Sequence, residues 1–350
     1  MYKKTISPIL LVLFCANAYA QNKVNFEIAL SETKTSHSLY NSIDLADTRT
    51  DTNNFGYVQT GVYNKVTTVI PHNPFSAEIK RVLASLVSAD AGNGELLLQL
   101  RQFSFAELTG VLGEYGYCTV KAEMYVKNGT GYQKTTSLDT LVQLRSSIDV
   151  TNPLLRSGSR LLTAFIQANL TLPAANDARV YTYNEVVHID SIEKKALPLY
   201  NAGTYTNGLY LTYQSFKNQL PDKRGLTTEN DYVHPGFVKI ADEKGKLRDV
   251  KLKKTYAIVY KGMPYIATEF GFYPLTKINN EFTFTGMAKT PPSIATLIVV
   301  NGMFGATGTL ANSGDEDTFE MKIDHQNGSL IKLKVIPKPK TTGSGNDGWD

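Results

Sequence analysis

The sequence predicts an α+β protein: an N-terminal β-α-β-β-α domain with two helices on an antiparallel sheet, then a mainly β domain made of a meander and a final hairpin. Three observations lead there. The 350 residues include 20 Tyr and 15 Phe but one Trp, a composition that favours strands over helical bundles. Two stretches of the first half repeat apolar residues at helical spacing. From Tyr200 onward, Tyr and Phe alternate with Lys, Thr and Gly in short runs separated by turn residues, as antiparallel strands require.

The first domain, residues 21–170, opens with Val24, Phe26, Ile28 and Leu30 in alternation, and residues 43–49 and 55–69 continue as extended material up to Pro71. Asn73 is placed to cap a helix and Pro74 to occupy its first position. Phe75, Ile79, Val82, Leu83, Leu86 and Val87 then share one helical face. After Gly92 and Gly94, Leu96, Leu98 and Leu100 alternate with Gln99 and Arg101 before Phe103 and Phe105, the pattern of a central strand. Val120, Ala122, Met124 and Val126 follow on one face of a hairpin whose turn is Asn128-Gly129. Asn152-Pro153 starts a second helix with a stripe of Leu154, Leu155, Leu161, Leu162, Phe165 and Ile166. Residues 171–199 read as a linker containing a short helix, and residues 200–337 as the β domain. Its meander runs through 255–260, 265–270, 273–278 and 282–286. The final hairpin pairs Phe319, Met321 and Ile323 with Ile331, Leu333 and Val335 across Asn327-Gly328. The Lys-, Pro-, Gly- and Ser-rich residues 338–350 read as a disordered tail.

Residues 1–20 have the layout of a signal peptide: Lys3 and Lys4, an apolar run over 9–14, and the small-x-small site Ala18-Tyr19-Ala20. The run is too short for a bilayer span of about 20 residues. Phe14 and Leu13 before Cys15 do not make a lipobox. Export to the periplasm, the outer membrane or the exterior is therefore expected, with Gln21 as the first mature residue. Cleavage removes two lysines and no acid, so the formal charge falls from +4 to +2. A nearly neutral chain without a clustered basic face is not a nucleic-acid binder. Cys118 then remains as the sole cysteine and excludes an internal disulfide.

Motifs for chemistry are sparse. His37, His72, His188, His234 and His325 lack zinc-ligand spacing, and no nucleophile elbow, zincin motif or Walker loop occurs. No cofactor or metal is expected, and Cys118 reads as a buried, inert thiol. Gly302, Gly305 and Gly308 imitate a dinucleotide-binding turn, but Asn312-Ser313-Gly314-Asp315 breaks the helix that the pyrophosphate would need. The charge-free segment 292–311 is a buried strand pair, a loop that touches a partner or membrane, or a spanning helix; it contributes Val299, Met303 and Phe304 as candidate contacts. Asp44, Asp47 and Arg49 form a polar cluster at a strand end, against the alternative of ordinary surface pairing. Tyr256, Tyr260, Tyr265, Phe270 and Tyr273 offer stacking surfaces for a glycan or peptide, against the alternative of core packing.

Residues 43–49 with Asp47-Thr48-Arg49, then Gly56, the helix after Asn73 and the strand at Leu96, resemble the YajG-like lipoproteins. The second half, with residues 208–216, Pro221, the aromatic meander 256–273 and Ile323-Asp324 near Asn327-Gly328, looks like uncharacterised secreted proteins of Gram-negative envelopes. That resemblance implies an address and no activity, and it transfers no functional residue. The expected function is a non-catalytic exported envelope protein with a binding or assembly role toward an envelope protein or glycan, with peripheral membrane contact open. Two alternatives stand beside it. One is a carboxylate-dependent hydrolase of glycans using Glu107, Glu114, Asp231 or Glu269; the other is a structural subunit of a surface assembly.

Overall fold

The first half of the chain is organised by one large mixed sheet. Its strands are β1 (Lys23–Phe26), β2 (Tyr40–Asp47), β3 (Gly56–Thr60), β4 (Lys65–Pro71), β5 (Gly94–Gly110), β6 (Gly113–Asn128), β7 (Gly131–Ser146) and β8 (Val180–Tyr181). Helix α1 (Phe75–Leu86) lies between β4 and β5, and α2 (Thr151–Asn169) follows β7. The computed structural model describes residues 22–61, 63–110, 113–174, 179–289 and 316–337. The expected signal peptide, the segment 292–311 with Val299, Met303 and Phe304, and the tail 338–350 lie outside the described residues.

The strand order is β1-β4-β3-β5-β6-β7-β8, with β2 also on β5. This overturns the expected fold class. The sheet is mixed rather than antiparallel, because β1 runs parallel to β4 and both β2 and β3 run parallel to β5. The two helices occur where their apolar spacing placed them, but they cover an eight-stranded mixed sheet instead of completing a β-α-β-β-α unit. The reason is physical. Alternation marks a residue run as extended without recording its partner or direction, and four short strands before α1 join the sheet through pairings distant in sequence.

The long strand β5 has two faces of different character. Leu96, Leu98, Leu100, Phe103 and Phe105 pack with Ile79, Val82 and Leu83 of α1 and with Leu154, Leu162 and Phe165 of α2. Between Leu100 and Phe103 the alternation slips by one residue. There Leu100 faces Ala122 and Gln102 faces Lys121, so Arg101 is the extra residue of a β-bulge. The approach of α2 is close enough that a Cβ on Gly158 would fall 2.6 Å from the Phe105 ring.

The caps differ from expectation. Asn73 does not cap α1; its Nδ2 donates to Glu78 Oε1 at 2.5 Å. Asn152 does not cap α2 either. Glu114 Oε2 accepts from Val150 N at 3.2 Å and Asp149 Oδ1 from Thr151 N at 2.9 Å, so the start of α2 is satisfied partly by a strand.

The residues expected as a linker contain β8 and two short helices, α3 (Tyr183–Val187) and α4 (Ile189–Ala196). Val186 of α3 packs with Ala46, Leu97 and Tyr125 on the face of the sheet opposite α1 and α2. The chain continues through α5 (Pro198–Asn201), β9 (Gly208–Tyr210) and α6 (Tyr213–Lys217), then β10 (Leu226–Thr227), β11 (Lys239–Ala241) and β12 (Leu247–Asp249). The expected meander divides between two sheets. Strands β13 (Ala257–Tyr260), β14 (Met263–Ala267) and β15 (Phe272–Pro274) pair with β9, whereas β16 (Thr276–Ile278) and β17 (Glu281–Lys289) pair with β18 (Glu316–Ile323) and β19 (Leu330–Val335). The final hairpin pairs Phe319 with Val335 and Ile323 with Leu330. Among the described residues no helix is long and apolar enough to cross a membrane.

Candidate functional site

A cleft of about 400 Å³ opens where the first sheet meets β18 and β19. Its walls come from the loop 48–55, the middle of β5, and the β18–β19 hairpin, including Ile331 and Leu333. The loop exists because β2 and β3 line the same edge of β5 in succession. β2 ends opposite Leu100 and β3 resumes opposite Phe105, leaving the intervening loop to bow outward.

Arg49 holds this loop. Its Nε donates to Asp47 Oδ1 at 2.9 Å and its Nη2 to Asp47 Oδ2 at 2.7 Å. Nη1 donates to the Asn54 carbonyl at 2.9 Å and Nη2 to that of Thr52 at 3.2 Å, while the guanidinium lies 4.5 Å from the Phe55 ring centre. A planar five-donor group is the side chain able to serve a carboxylate and two carbonyls together. Asp47 and Arg49 are therefore a buried clamp at the cleft wall. Asp44 is separate from them, paired with Lys80 at 2.8 Å on the exposed surface.

The floor is an ion network centred on Arg101. The bulge turns this side chain, 7% exposed, toward the second half of the chain. Nη1 donates to Glu123 at 3.2 Å and to Glu193 Oε1 at 3.0 Å, and Nη2 donates to Glu193 Oε2 at 2.7 Å and to Asp190. His325 Nε2 lies 2.9 Å from Glu193 Oε2. With its amide oxygen toward the guanidinium, Gln326 accepts from Arg101 Nη1 at 2.6 Å. Nearby, Lys121 of β6 pairs with Asp324. Strand, helix α4 and the β18–β19 turn are thus tied through one arginine and one lysine. Burial pushes the Glu193 carboxyl up, but hydrogen bonds from His325 and Arg101 outweigh it and hold the group down at about 2. The Asp324 carboxyl is likewise lowered, with Lys121 overcoming the effect of burial.

Asp190, Glu193 and His325 have the donor types and spacing of a metal site, within 4.8 Å of one another. The Arg101 guanidinium already supplies the cation there, so the cluster fits an arginine rather than a metal.

The aromatic candidates do not assemble into one surface. Tyr256 and Tyr273 pack against the cluster around Phe282 and Phe319, and Tyr265 against a different one around Val238 and Ile258. Tyr256 donates to the Gly328 carbonyl at 2.7 Å, and Tyr273 stacks on Phe284 at 5.9 Å. Tyr260 donates to Asp231, which also holds Lys261 at 2.6 Å; Phe270 is half-buried. Of the carboxylates, Glu107 and Glu114 come together with Asp149 under the start of α2, away from the cleft. Glu269 pairs instead with Lys289 at 3.5 Å. Burial pushes the Glu107 carboxyl up to about 7 and raises that of Glu114. Burial also pushes the Cys118 thiol up to about 12, which suits an inert core position.

Arg101, Lys121, Glu193 and His325 escaped the sequence reading. The slip from Leu100 to Phe103 is the one signal that announces Arg101; nothing in the sequence links it to residues more than two hundred positions away.

The chain matches no family model and no curated protein sequence. Among solved structures it is similar to protein XCC0632 from Xanthomonas campestris, of family DUF330, at 9% identity and a TM-score of 0.28, covering 42% of this chain and 95% of that one. A second crystal structure, of an uncharacterized protein, matches at 11% identity and a TM-score of 0.25, covering 43% of this chain and 99% of that one. Nothing in these comparisons is specific to YajG-like lipoproteins.

Proposed function

We propose that the chain is a non-catalytic binding protein of the cell envelope and that the cleft between the two halves receives its ligand, an envelope protein or glycan. The observation that carries this reading is the state of the cleft walls. Arg49 is committed to Asp47 and two carbonyls, Lys121 to Asp324, and Arg101 to the carboxylates of α4 and β6. These groups fix the shape of the cleft, while Thr50, Ser104, Ile331 and Leu333 contribute hydroxyl and aliphatic lining. A preformed concave surface of mixed polarity suits recognition, because little ordering cost remains on binding. The export layout of residues 1–20 supplies the envelope address.

Photo-crosslinking in the native host tests this. A photoreactive amino acid is placed at Thr50 or Leu333 in the cleft, or at exposed Ile148, which does not line it. A reproducible adduct from the cleft positions alone supports the reading. Equal labelling from Ile148, or none from the cleft in fractionated envelopes, counts against it.

A further inference from the structure

Strand β7 leaves most of one edge without a partner. On one side it pairs with β6 along its length, but on the other β8 reaches it only at Tyr132 and Gln133. From residue 134 to 146 that second edge pairs with no strand among the described residues. A row of unpaired backbone donors and acceptors is a template for another strand, and sheets ordinarily blunt it with short end strands, lysines or proline. Several other end strands of this chain are short, with two to four residues in β1, β8, β10, β12 and β16. The β7 run lacks these protections. It contains no proline, and its single lysine, Lys134, is turned back to Glu123 at 2.9 Å.

The same edge leaves the core open. Leu144 and Val142 sit opposite Gly116 and Cys118, which lie beneath α2, and with Leu138 they pack against the main core cluster yet stay half-buried. Helix α2 directs Ser159, Thr163 and Gln167 toward residues 29–35, where they hydrogen-bond. Its other flank, with half-buried Leu161 and exposed Ala164 and Ala168, therefore overhangs the edge of β7. A strand laid along this edge gains main-chain pairing and covers the half-buried side chains together.

We infer that this strand is β7 of a second copy of the chain, antiparallel about a twofold axis at Leu141, so that two sheets become one. The pairing of β7 with β6 slips at Thr135, which leaves 136–146 as the regular run, and Leu141 is its midpoint. Pairing about that residue sets Leu138 opposite Leu144 on the α2 side, and Asp139 opposite Gln143 and Ser137 opposite Arg145 on the other face. No two like charges face one another, and each Asp139 lies diagonal to an Arg145 across the axis. The segment is thus compatible with itself, and an isologous contact of this kind closes at two chains. No residue of the run lines the cleft, so the contact leaves the cleft walls intact.

Sedimentation velocity on the full mature chain, from about 1 to about 200 µM, tests this. The expected result is a monomer–dimer equilibrium with a Kd below about 50 µM. Gln143→Glu brings an acid opposite Asp139 on both sides of the axis and should raise that Kd about tenfold. Gln143→Lys places a base at the same position and should leave the Kd unchanged or lower it. Gln143 is exposed, so both variants should fold as the parent does, which circular dichroism checks. A monomer throughout the range, or an assembly larger than two chains, would overturn the proposal. So would a Gln143→Glu variant that dimerises as the parent does, or equal weakening by the two substitutions, since either would place the contact elsewhere or in another register.

Discussion

Among the described residues, two acidic clusters with buried members, one around Arg101 and one around Glu107, are treated by the fold in opposite ways. Around Arg101, burial pushes the Glu193 carboxyl up, yet the guanidinium and the His325 ring bring it down to about 2. Around Glu107, burial acts in the same sense with no cation to oppose it, and the carboxyl rises to about 7. The residue type and the desolvation are common to both sites. What differs is the company each carboxyl keeps: Arg101 and His325 lower Glu193, whereas Glu107 has hydrogen bonds from Thr151 and the Gln59 backbone but two further carboxylates, Glu114 and Asp149, that raise it. The first cluster holds two halves of the chain together; the second favours a protonated carboxyl.

The largest expected effect follows from breaking the first cluster. Arg101→Ala should cost about 3 kcal/mol in urea unfolding, because buried Glu123 is left with Lys134 alone as a cationic partner and Glu193 with His325 alone. Adding Glu123→Gln should recover part of that loss. Full additivity of the two substitutions would mean that the pair does not interact.

The second cluster should respond in the opposite sense. The Glu107 pKa is raised from 4.5 to about 7, so the folded chain binds more protons than the unfolded chain across that window. Its contribution to stability should therefore fall as pH rises from about 4.5 to about 7, by about 3 kcal/mol in total. Glu107→Gln should remove this dependence and stabilise the protein at pH 8; a parental pH profile in the variant would show that another group is responsible. Glu193 gives the mirror image, with stability present above pH 4.5 and lost as pH falls through about 2, and Glu193→Gln should flatten that acid limb.

Smaller effects sharpen the distinction between buried and exposed pairs. Arg49→Lys should cost about 2 kcal/mol in chemical denaturation, since an ammonium cannot serve Asp47 and both carbonyls. Asp44→Ala should shift stability by less than about 1 kcal/mol, because its pair with Lys80 is solvated. Comparable losses from these two would erase the distinction.

Legibility in the sequence divides along the same line. The helices at Phe75–Leu86 and Thr151–Asn169 were visible as apolar stripes, and the β18–β19 hairpin as alternation around Asn327-Gly328. These signals are local. The parallel pairing of β2 with β5, the capping of α2 by Glu114 and the meeting of Arg101 with Glu193 all join distant residues, and no local pattern encodes them. Asp47 and Arg49 were legible as a pair, but the sequence did not show that they face inward to two carbonyls. Glu107 was legible as a carboxylate among others; its core-facing position becomes readable only after the slip at Arg101 is counted.

The bulge at Arg101 has a consequence for how the molecule is put together. Omitting that single residue would leave Leu96, Leu98 and Leu100 in phase with Phe103 and Phe105, so β5 has no need of it to pack against α1 and α2. The arginine is a spare unit in its strand, surplus to the core and devoted to the junction. The first half thus carries one of its ties to the rest of the chain as a detachable part, and a one-residue deletion there should loosen the junction, leaving it to Lys121 and Asp324, while sparing the architecture of either half.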